Sequence, residues 1–435
     1  MKQLLEMNRI VSDMIGFQSG YCKKIRPMKF CVMVETSANI VIYNCVTLEM
    51  IQLNPQEEGV DKYLFEHWFT VPDNFNEKEW FNDIRANIKK KDMEKPLHRF
   101  TIFTTTECNA RCFYCYENGV FQQPMSEKIA YDTASFIANQ YKGEPHRLHW
   151  FGGEPLCNVR AIDIISDQLI KKKVCFNSTM TSNGYLFDDE IIEKAVRDWH
   201  LSDVQITLDG TREQYNRIKN YKNDDPDPFE RVIGNISKLL FQKIAVKVRL
   251  NIGLYNIQDM LQLVDMIKTK FGSDSLLYIY PALVDKYKYE YTSEEKQERN
   301  EQFRIVQQHL EASGLHYKRK SIDNVLRITN CVGDDYRGCV ILPNGKLSKC
   351  ATLMESEVYG DIYMPKVEFN TRVIESWQER GTEIPQCYDC CIYPLCSKRL
   401  YRCPSDRKNP IYEYECATRI FDYVSTVKSL IEKKI

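Results

Sequence analysis

No stretch of the 435 residues approaches the ~20 consecutive apolar positions of a membrane-spanning helix, so no such span is expected. The first residues lack a long apolar run and a small-residue cleavage site. No secretion signal is therefore evident, and a cytoplasmic protein is expected. An excess of either charge is missing too. The 59 Lys and Arg stand against 60 Asp and Glu, a formal charge of −1, which removes the electrostatic case for nucleic acid or a membrane surface. What the chain does have is 43% hydrophobic and 12% aromatic residues, enough for a sizeable core in two or three domains. It also has 17 cysteines, which in a cytoplasmic chain argue for metal or redox chemistry rather than disulfides. So many oxidisable thiols also point to a host with little oxygen.

Three of these thiols, Cys108, Cys112 and Cys115, are spaced C-x3-C-x2-C within the stretch 104–118. Three thiolates on one short loop can hold three irons of a [4Fe–4S] cube and leave the fourth iron open. Zinc fits poorly, because it takes four protein ligands or three with a histidine nearby, and the stretch has no histidine. The apolar run 100–103 before the loop reads as a strand delivering a site, which disfavours three incidental cysteines.

From about 98 to 300, strand-like runs (100–103, 148–151, 177–181, 204–207, 246–250, 277–280) alternate with helical ones (125–141, 159–172, 188–199, 229–242, 257–271). Six strand–helix repeats predict a parallel sheet with right-handed crossovers, an α/β fold read as a partial (β/α)6 barrel. Chemistry in such barrels sits at the C-terminal strand ends, which is where the motifs fall.

The cysteine loop closely resembles the cluster motif of the radical S-adenosylmethionine (radical SAM) enzymes. The resemblance extends through Gly152-Gly153-Glu154-Pro155, Thr181-Ser182-Asn183-Gly184 and Gln205–Gly210, over residues 98–435 as a whole. It implies that S-adenosylmethionine is the cofactor and that the open iron chelates its amino and carboxylate groups. Tyr114 would lie against its adenine. Gly152, Gly153 and Glu154 would take its amino group, and Ser182, Asn183, Thr207 and Asp209 would line the same pocket. Arg217 would clamp the carboxylate, a task that suits the guanidinium fork. Arg249 and Asn251 alternate on the fifth strand toward the same mouth, and Leu283 lies near the adenine.

Two flanking regions complete the chain. Residues 1–97 read as a small α+β domain, with a hairpin of strands 29–34 and 40–43, helices at 61–68 and 77–84, and a charged linker at 89–95. This domain either holds a leader peptide or acts as a packing lid. Cys22, Cys31 and Cys45 fit no metal-loop spacing and read as buried or incidental thiols, and Cys157 and Cys175 as core thiols. Residues 301–330 read as a bridging segment that opens with a charged helix.

Residues 331–435 are a cysteine-rich domain resembling the SPASM extension, starting with a hairpin at Asn344-Gly345. Structural zinc is the alternative for C-x2-C pairs. By resemblance, Cys331, Cys339, Cys350 and Cys403 hold a first auxiliary [4Fe–4S] cluster, and Cys387, Cys390, Cys396 and Cys416 a second, giving three clusters in all. If Cys339 faces the core instead, the first auxiliary cluster keeps three protein ligands and an open iron. Cys391 is spare.

The expected function is that of a peptide maturase. Reductive cleavage of S-adenosylmethionine gives a 5′-deoxyadenosyl radical that abstracts hydrogen from a ribosomally made precursor peptide and installs a thioether or C–C cross-link. Expected partners are that precursor with its leader and a reductant such as flavodoxin or ferredoxin. One alternative is an anaerobic sulfatase-maturating, formylglycine-generating enzyme. Against it, Ala351 stands where those enzymes place a basic Asp. The other alternative is a non-catalytic metal or iron–sulfur scaffold.

Overall fold

The computed structural model describes residues 1–435 except 8, 22–23, 36–38, 55–57, 255, 285–290, 316–330, 366–367, 379–388, 397–426 and 428–435. The chain divides into two compact units. One takes Met1–Lys95 with the described residues of 319–336 and 375–435, and the other takes Pro96–Lys318 and Arg337–Ile374.

The first unit runs β1 (Lys2–Leu5), α1 (Arg9–Ile15), β2 (Ile25–Pro27), β3 (Cys31–Glu35), β4 (Ile40–Asn44), β5 (Met50–Leu53), α2 (Asp61–Glu66), β6 (Thr70–Pro72) and α3 (Glu77–Met93). Four strands form an antiparallel sheet in the order β1-β5-β4-β3, and β2 pairs with β6. On β3 the side chains alternate, Val32 and Val34 inward and Met33 outward, as a sheet with one solvated face requires. The hairpin of β3 and β4 is the one expected; its tip lies outside the described residues. The expected linker at 89–95 is instead largely helix, since α3 continues to Met93. Lys90 and Lys91 fall in its last turn, where cations suit the helix dipole.

The second unit is built on β7 (Arg99–Thr105), α4 (Glu127–Asn139), β8 (His146–Gly152), α5 (Val159–Lys171), β9 (Phe176–Ser182), α6 (Asp189–Arg197), β10 (Leu201–Leu208), α7 (Arg212–Lys219), α8 (Pro228–Phe241), β11 (Ala245–Ile252), α9 (Ile257–Phe271), β12 (Leu277–Leu283) and α10 (Ser293–Ser313). Each of the six strands pairs in parallel with the next, the partial barrel that was expected. Side-chain caps start the helices: Ser126 for α4, Asn158 for α5, Asp188 for α6 and Asp227 for α8, each worth about 1 kcal/mol. One face of the sheet is apolar. Val204, Ile206 and Leu208 of β10 and Val246, Val248 and Leu250 of β11 share a core with Val232 and Ile236 of α8 and Leu263 and Val264 of α9. Burying each such side chain contributes about 1.5–3 kcal/mol.

The start of the cysteine-rich region joins this sheet. β13 (Gly338–Ile341) pairs in parallel with β7, then β14 (Lys346–Ser348) and β15 (Val358–Asp361) follow antiparallel, and α11 (Thr371–Gln378) comes after them. Cys339, Val340 and Ile341 are wholly buried, so an apolar strand covers the edge of β7. The expected hairpin is present with a three-residue loop, Pro343-Asn344-Gly345. Leu342 and Lys346 still pair, and Gly345 takes φ +82°, which suits glycine.

Candidate active site at the strand ends

β7 ends in the loop that carries Cys108, Cys112 and Cys115, all three half-buried. Burial pushes the Cys108 thiol up to about 12 and Cys115 to about 11. A bound metal would reverse this by holding them as thiolates. The amide of Ala110 donates to Cys108 Sγ at 3.4 Å, and the adjoining Asn109 Nδ2 is buried with no hydrogen-bond partner. Three thiols on one loop, one already receiving an amide, fit a cluster with three protein ligands.

Gly152 and Gly153 end β8 hard against this loop. A Cβ on Gly152, at φ +129°, would lie 2.0 Å from the Thr105 carbonyl oxygen, and one on Gly153 would lie 2.4 Å from that of Glu107. The glycines therefore let two segments of chain meet. The sequence reading had them admitting a ligand. Glu154 follows, wholly buried. Its carboxylate accepts from Leu156 N (3.2 Å), Ser182 Oγ (2.9 Å) and Asn183 N (2.7 Å), which uses three of its roughly four acceptor positions. Burial raises the Glu154 carboxyl to about 7 against those three bonds. Asn183 also reaches Asn109 Oδ1 at 2.6 Å, so the ends of β8 and β9 are tied to the cysteine loop.

A second set of contacts ties β10, β11 and α7 to the same loop. Asp209, fully buried, accepts from the Tyr114 hydroxyl at 2.8 and 3.0 Å and from Asn251 Nδ2 at 2.9 Å, and pairs with Lys219 Nζ at 2.9 Å. Burial alone would lower Lys219, but Asp209, then Tyr114 and Cys112, outweigh it and hold the ammonium protonated. The backbone adds two bonds, Arg111 N to Lys219 O (2.8 Å) and Lys222 N to Asn109 O (2.9 Å). With its lone pairs engaged, Asp209 holds Tyr114, whereas the resemblance set it against the cofactor. Lys219 was missed in the sequence. Its signal was its spacing, since Tyr215, Ile218 and Lys219 share the buried face of α7, and a charge on such a face needs a partner.

The sheet's lumen face is polar. His149 bonds Thr179 and Thr181 at 2.7 and 3.1 Å, and burial lowers it to about 4, so it is neutral near pH 7. Lys247 pairs with Asp203, and Tyr280 donates to Gln205 at 2.5 Å. Thr207, Arg249 and Tyr280 lie side by side in register, and Arg249 Nε is buried with no hydrogen-bond partner. Leu283 ends β12 opposite Ile252. Arg217 is elsewhere, on the exposed face of α7, donating to Gln214.

Among the C-terminal cysteines, Cys339 is 0% exposed in the barrel core, where it bonds to Tyr359. Cys350 is buried, and its sulfur accepts from Leu353 N at 3.4 Å. Its charge is felt by Tyr116, next to Cys115. Cys331 is exposed and accepts from Gly333 N at 3.2 Å. Cys390, Cys391 and Cys396 belong to the first unit and pack against its core. Cys387, Cys403 and Cys416 lie outside the described residues. Cys175, expected in the core, is exposed, because it precedes β9 rather than lying within it.

Residues 102–267, the span from β7 to α9 that carries these contacts, match the Radical SAM superfamily. This span is similar to a radical SAM domain. That superfamily consists of enzymes using S-adenosylmethionine and a [4Fe–4S] cluster. Over 182 residues, 41% of this chain and 54% of the other, the chain is 26% identical to GTP 3′,8-cyclase of Nautilia profundicola. Over 121 residues, 28% of this chain and 38% of the other, it is 31% identical to a probable GTP 3′,8-cyclase of Archaeoglobus fulgidus. The chain thus spans at most about half the length of these relatives. In fold it is similar to anSMEcpe solved with bound AdoMet, at TM-score 0.58 and 16% identity, covering 77% of this chain and 99% of the other. It is also similar to SuiB of Streptococcus suis bound to its precursor peptide SuiA, at TM-score 0.51 and 13% identity, covering 86% and 94%. No helix among the described residues is long and apolar enough to cross a membrane.

Proposed function

We propose that the chain is a radical SAM peptide maturase with a SPASM-type extension, acting on a ribosomally made precursor to install a thioether or C–C cross-link. The observation that carries the reading is the cysteine loop at the C-terminal mouth of the parallel barrel, tied to the ends of β8, β9, β10 and β11. Cys108, Cys112 and Cys115 would hold the cluster. When bound, the cluster supplies one electron that splits the sulfonium and yields the 5′-deoxyadenosyl radical. The chain's part is to fix the loop, to order the cofactor and to keep water from the radical. Tyr114 would offer its ring to the adenine. Gly152, Gly153, Glu154, Ser182 and Asn183 shape the wall beside the amino group. Arg249, with its unpartnered Nε and Thr207 alongside, is better placed for the carboxylate than Arg217.

Peptide as the substrate class draws on two neighbours in fold, anSMEcpe solved with the Cp18Cys peptide and SuiB with SuiA. In this reading Cys350 would serve a first auxiliary cluster. Cys339, buried in the apolar core, would not be among that cluster's ligands. Co-expression with any short open reading frame found beside this gene tests the proposal. A maturase gives a peptide lighter by two hydrogens, with one 5′-deoxyadenosine per cross-link. The sequence relatives favour a second reading, cyclisation of GTP. Consumption of GTP with deoxyadenosine formation, and no change in the peptide, would select it.

A further inference from the structure

The surface around the cysteine loop departs from its surroundings in two ways. The first is apolar. Phe113, which directly follows Cys112, is 45% exposed, and Phe121, further along the same loop, is 78% exposed. Neither ring belongs to the core cluster of this unit. Phe113 stands edge-on to Tyr114, with ring centroids 5.5 Å apart. The carbonyl of Phe121 accepts from Thr106 Oγ1 at 2.8 Å, so its ring stands in solvent on an anchored main chain. Large apolar side chains grouped on one loop mark a surface that meets something other than water.

The second is charge. Arg111, Arg217 and Lys222 are exposed on the loop and on the segments bonded to it. Arg111 Nη2 reaches Gln122 Oε1, next to Phe121, at 3.4 Å. Lys222 follows α7, and its amide bonds the carbonyl of Asn109 at 2.9 Å. Among the described residues none of these three cations pairs with a carboxylate, although Glu213 and Asp224 stand near them in sequence. At the start of α7, by contrast, Arg212 pairs with Asp227 and Glu230. Positive charge is thus left unmet around two exposed rings, and the nearer ring belongs to the residue beside Cys112.

We propose that this patch is the docking surface for an acidic electron-carrier protein of the flavodoxin kind, which seats the apolar edge of its flavin against Phe113 and Phe121 and sets its carboxylates against Arg111, Arg217 and Lys222. The proposal rests on the reading of Cys108, Cys112 and Cys115 as cluster ligands. Splitting the sulfonium takes one electron, which enters from outside the chain. The carrier's anionic flavin hydroquinone loses one electron to the oxidised cluster, giving the neutral semiquinone and the reduced cluster; no proton moves. Aromatic rings and arginine are the residue types that interfaces favour. Unpaired cations at the rim steer an acidic partner and speed the encounter, most at low salt. The flat, apolar dimethyl edge of a flavin is what two exposed phenyl rings fit.

The test uses the whole reconstituted chain with S-adenosylmethionine under two reductants. Dithionite, a small molecule, needs no docking surface, whereas an acidic flavodoxin, added fully reduced, does. The readouts are 5′-deoxyadenosine and, by stopped flow, the rise of flavin semiquinone absorbance. The variants are Phe121→Ser/Lys222→Glu and a control matched in charge, Lys142→Glu, an exposed cation between α4 and β8 at the opposite end of the strands. With dithionite, all should form deoxyadenosine at the wild-type rate. With flavodoxin at low salt, the double variant should accept its electron at least about tenfold more slowly and with a weaker salt dependence, and the control should stay within about twofold of wild type. A double variant that keeps the wild-type flavodoxin rate overturns the docking surface. So does one slowed equally with dithionite, since the patch then serves the loop itself, and so does a control slowed as much as the double variant. Electron transfer from an acidic ferredoxin but not from flavodoxin overturns the flavin carrier as the occupant. No deoxyadenosine from the wild type with dithionite overturns the cluster reading on which the surface rests.

Discussion

At the rim of the parallel sheet, charge is met inside the protein. Asp209 is filled by Tyr114, Asn251 and Lys219, and Glu154 by Leu156, Ser182 and Asn183. Two residues earlier on β10 and β11, the lumen face carries Thr207 and Arg249, and there a guanidinium nitrogen has no hydrogen-bond partner. The rim is built to hold the cysteine loop still, whereas the lumen is left with donors to offer. A substitution at the rim should therefore cost stability, and one in the lumen should cost affinity.

The largest effect is expected at the buried ion pair. Asp209→Asn leaves Lys219 charged and unpaired, and should lower stability by about 3–5 kcal/mol in chemical denaturation. Adding Lys219→Met should recover most of that loss. A loss that the second change does not recover would mean that the pair is not what secures the rim.

Glu154 comes next. Its carboxyl is raised to about 7 from the ordinary 4.5, so the folded state holds a proton that the unfolded chain releases. Its contribution is whole below about pH 4.5 and is lost as pH rises to about 7, by about 3 kcal/mol. The difference in stability between wild type and Glu154→Gln should show that decline between about pH 4.5 and 7 and be flat elsewhere. A difference that is flat throughout would mean the three donors hold the carboxylate ionised.

In the lumen, Arg249→Gln should weaken S-adenosylmethionine binding about tenfold, or about 1.4 kcal/mol, with little change in stability. The smallest effect belongs to Arg217→Gln. Its exposed side chain should be worth less than about 0.5 kcal/mol to stability, and its loss less than threefold in binding. Calorimetric titration of the two variants compares them directly. If Arg217→Gln proves the more damaging, the carboxylate site moves to α7.

The six parallel strands of the second unit and five of its helices were legible because apolar periodicity is a local signal and these strands all run parallel. The cysteine loop and the Gly-Gly-Glu corner were legible for the same reason, each being a short run at a strand end. What escaped depends on pairing between distant segments. The extension of the sheet by β13 could not be seen in the sequence, because a short apolar strand does not announce which edge it covers. Lys219 escaped because the arginine two residues before it had the more familiar chemistry. The place of Asp209 and Glu154 was found, but not that their oxygens face the protein.

The central claim is that Cys108, Cys112 and Cys115 hold a cube whose fourth iron takes the cofactor. Its most direct test is electron paramagnetic resonance of the reconstituted, dithionite-reduced protein, with all cysteines outside this loop intact, titrated with S-adenosylmethionine. The account predicts a reduced-cluster signal that changes as the compound binds, with 5′-deoxyadenosine appearing, and both lost in the triple Ala variant of the loop. A signal indifferent to S-adenosylmethionine, or unaltered in that variant, would contradict it.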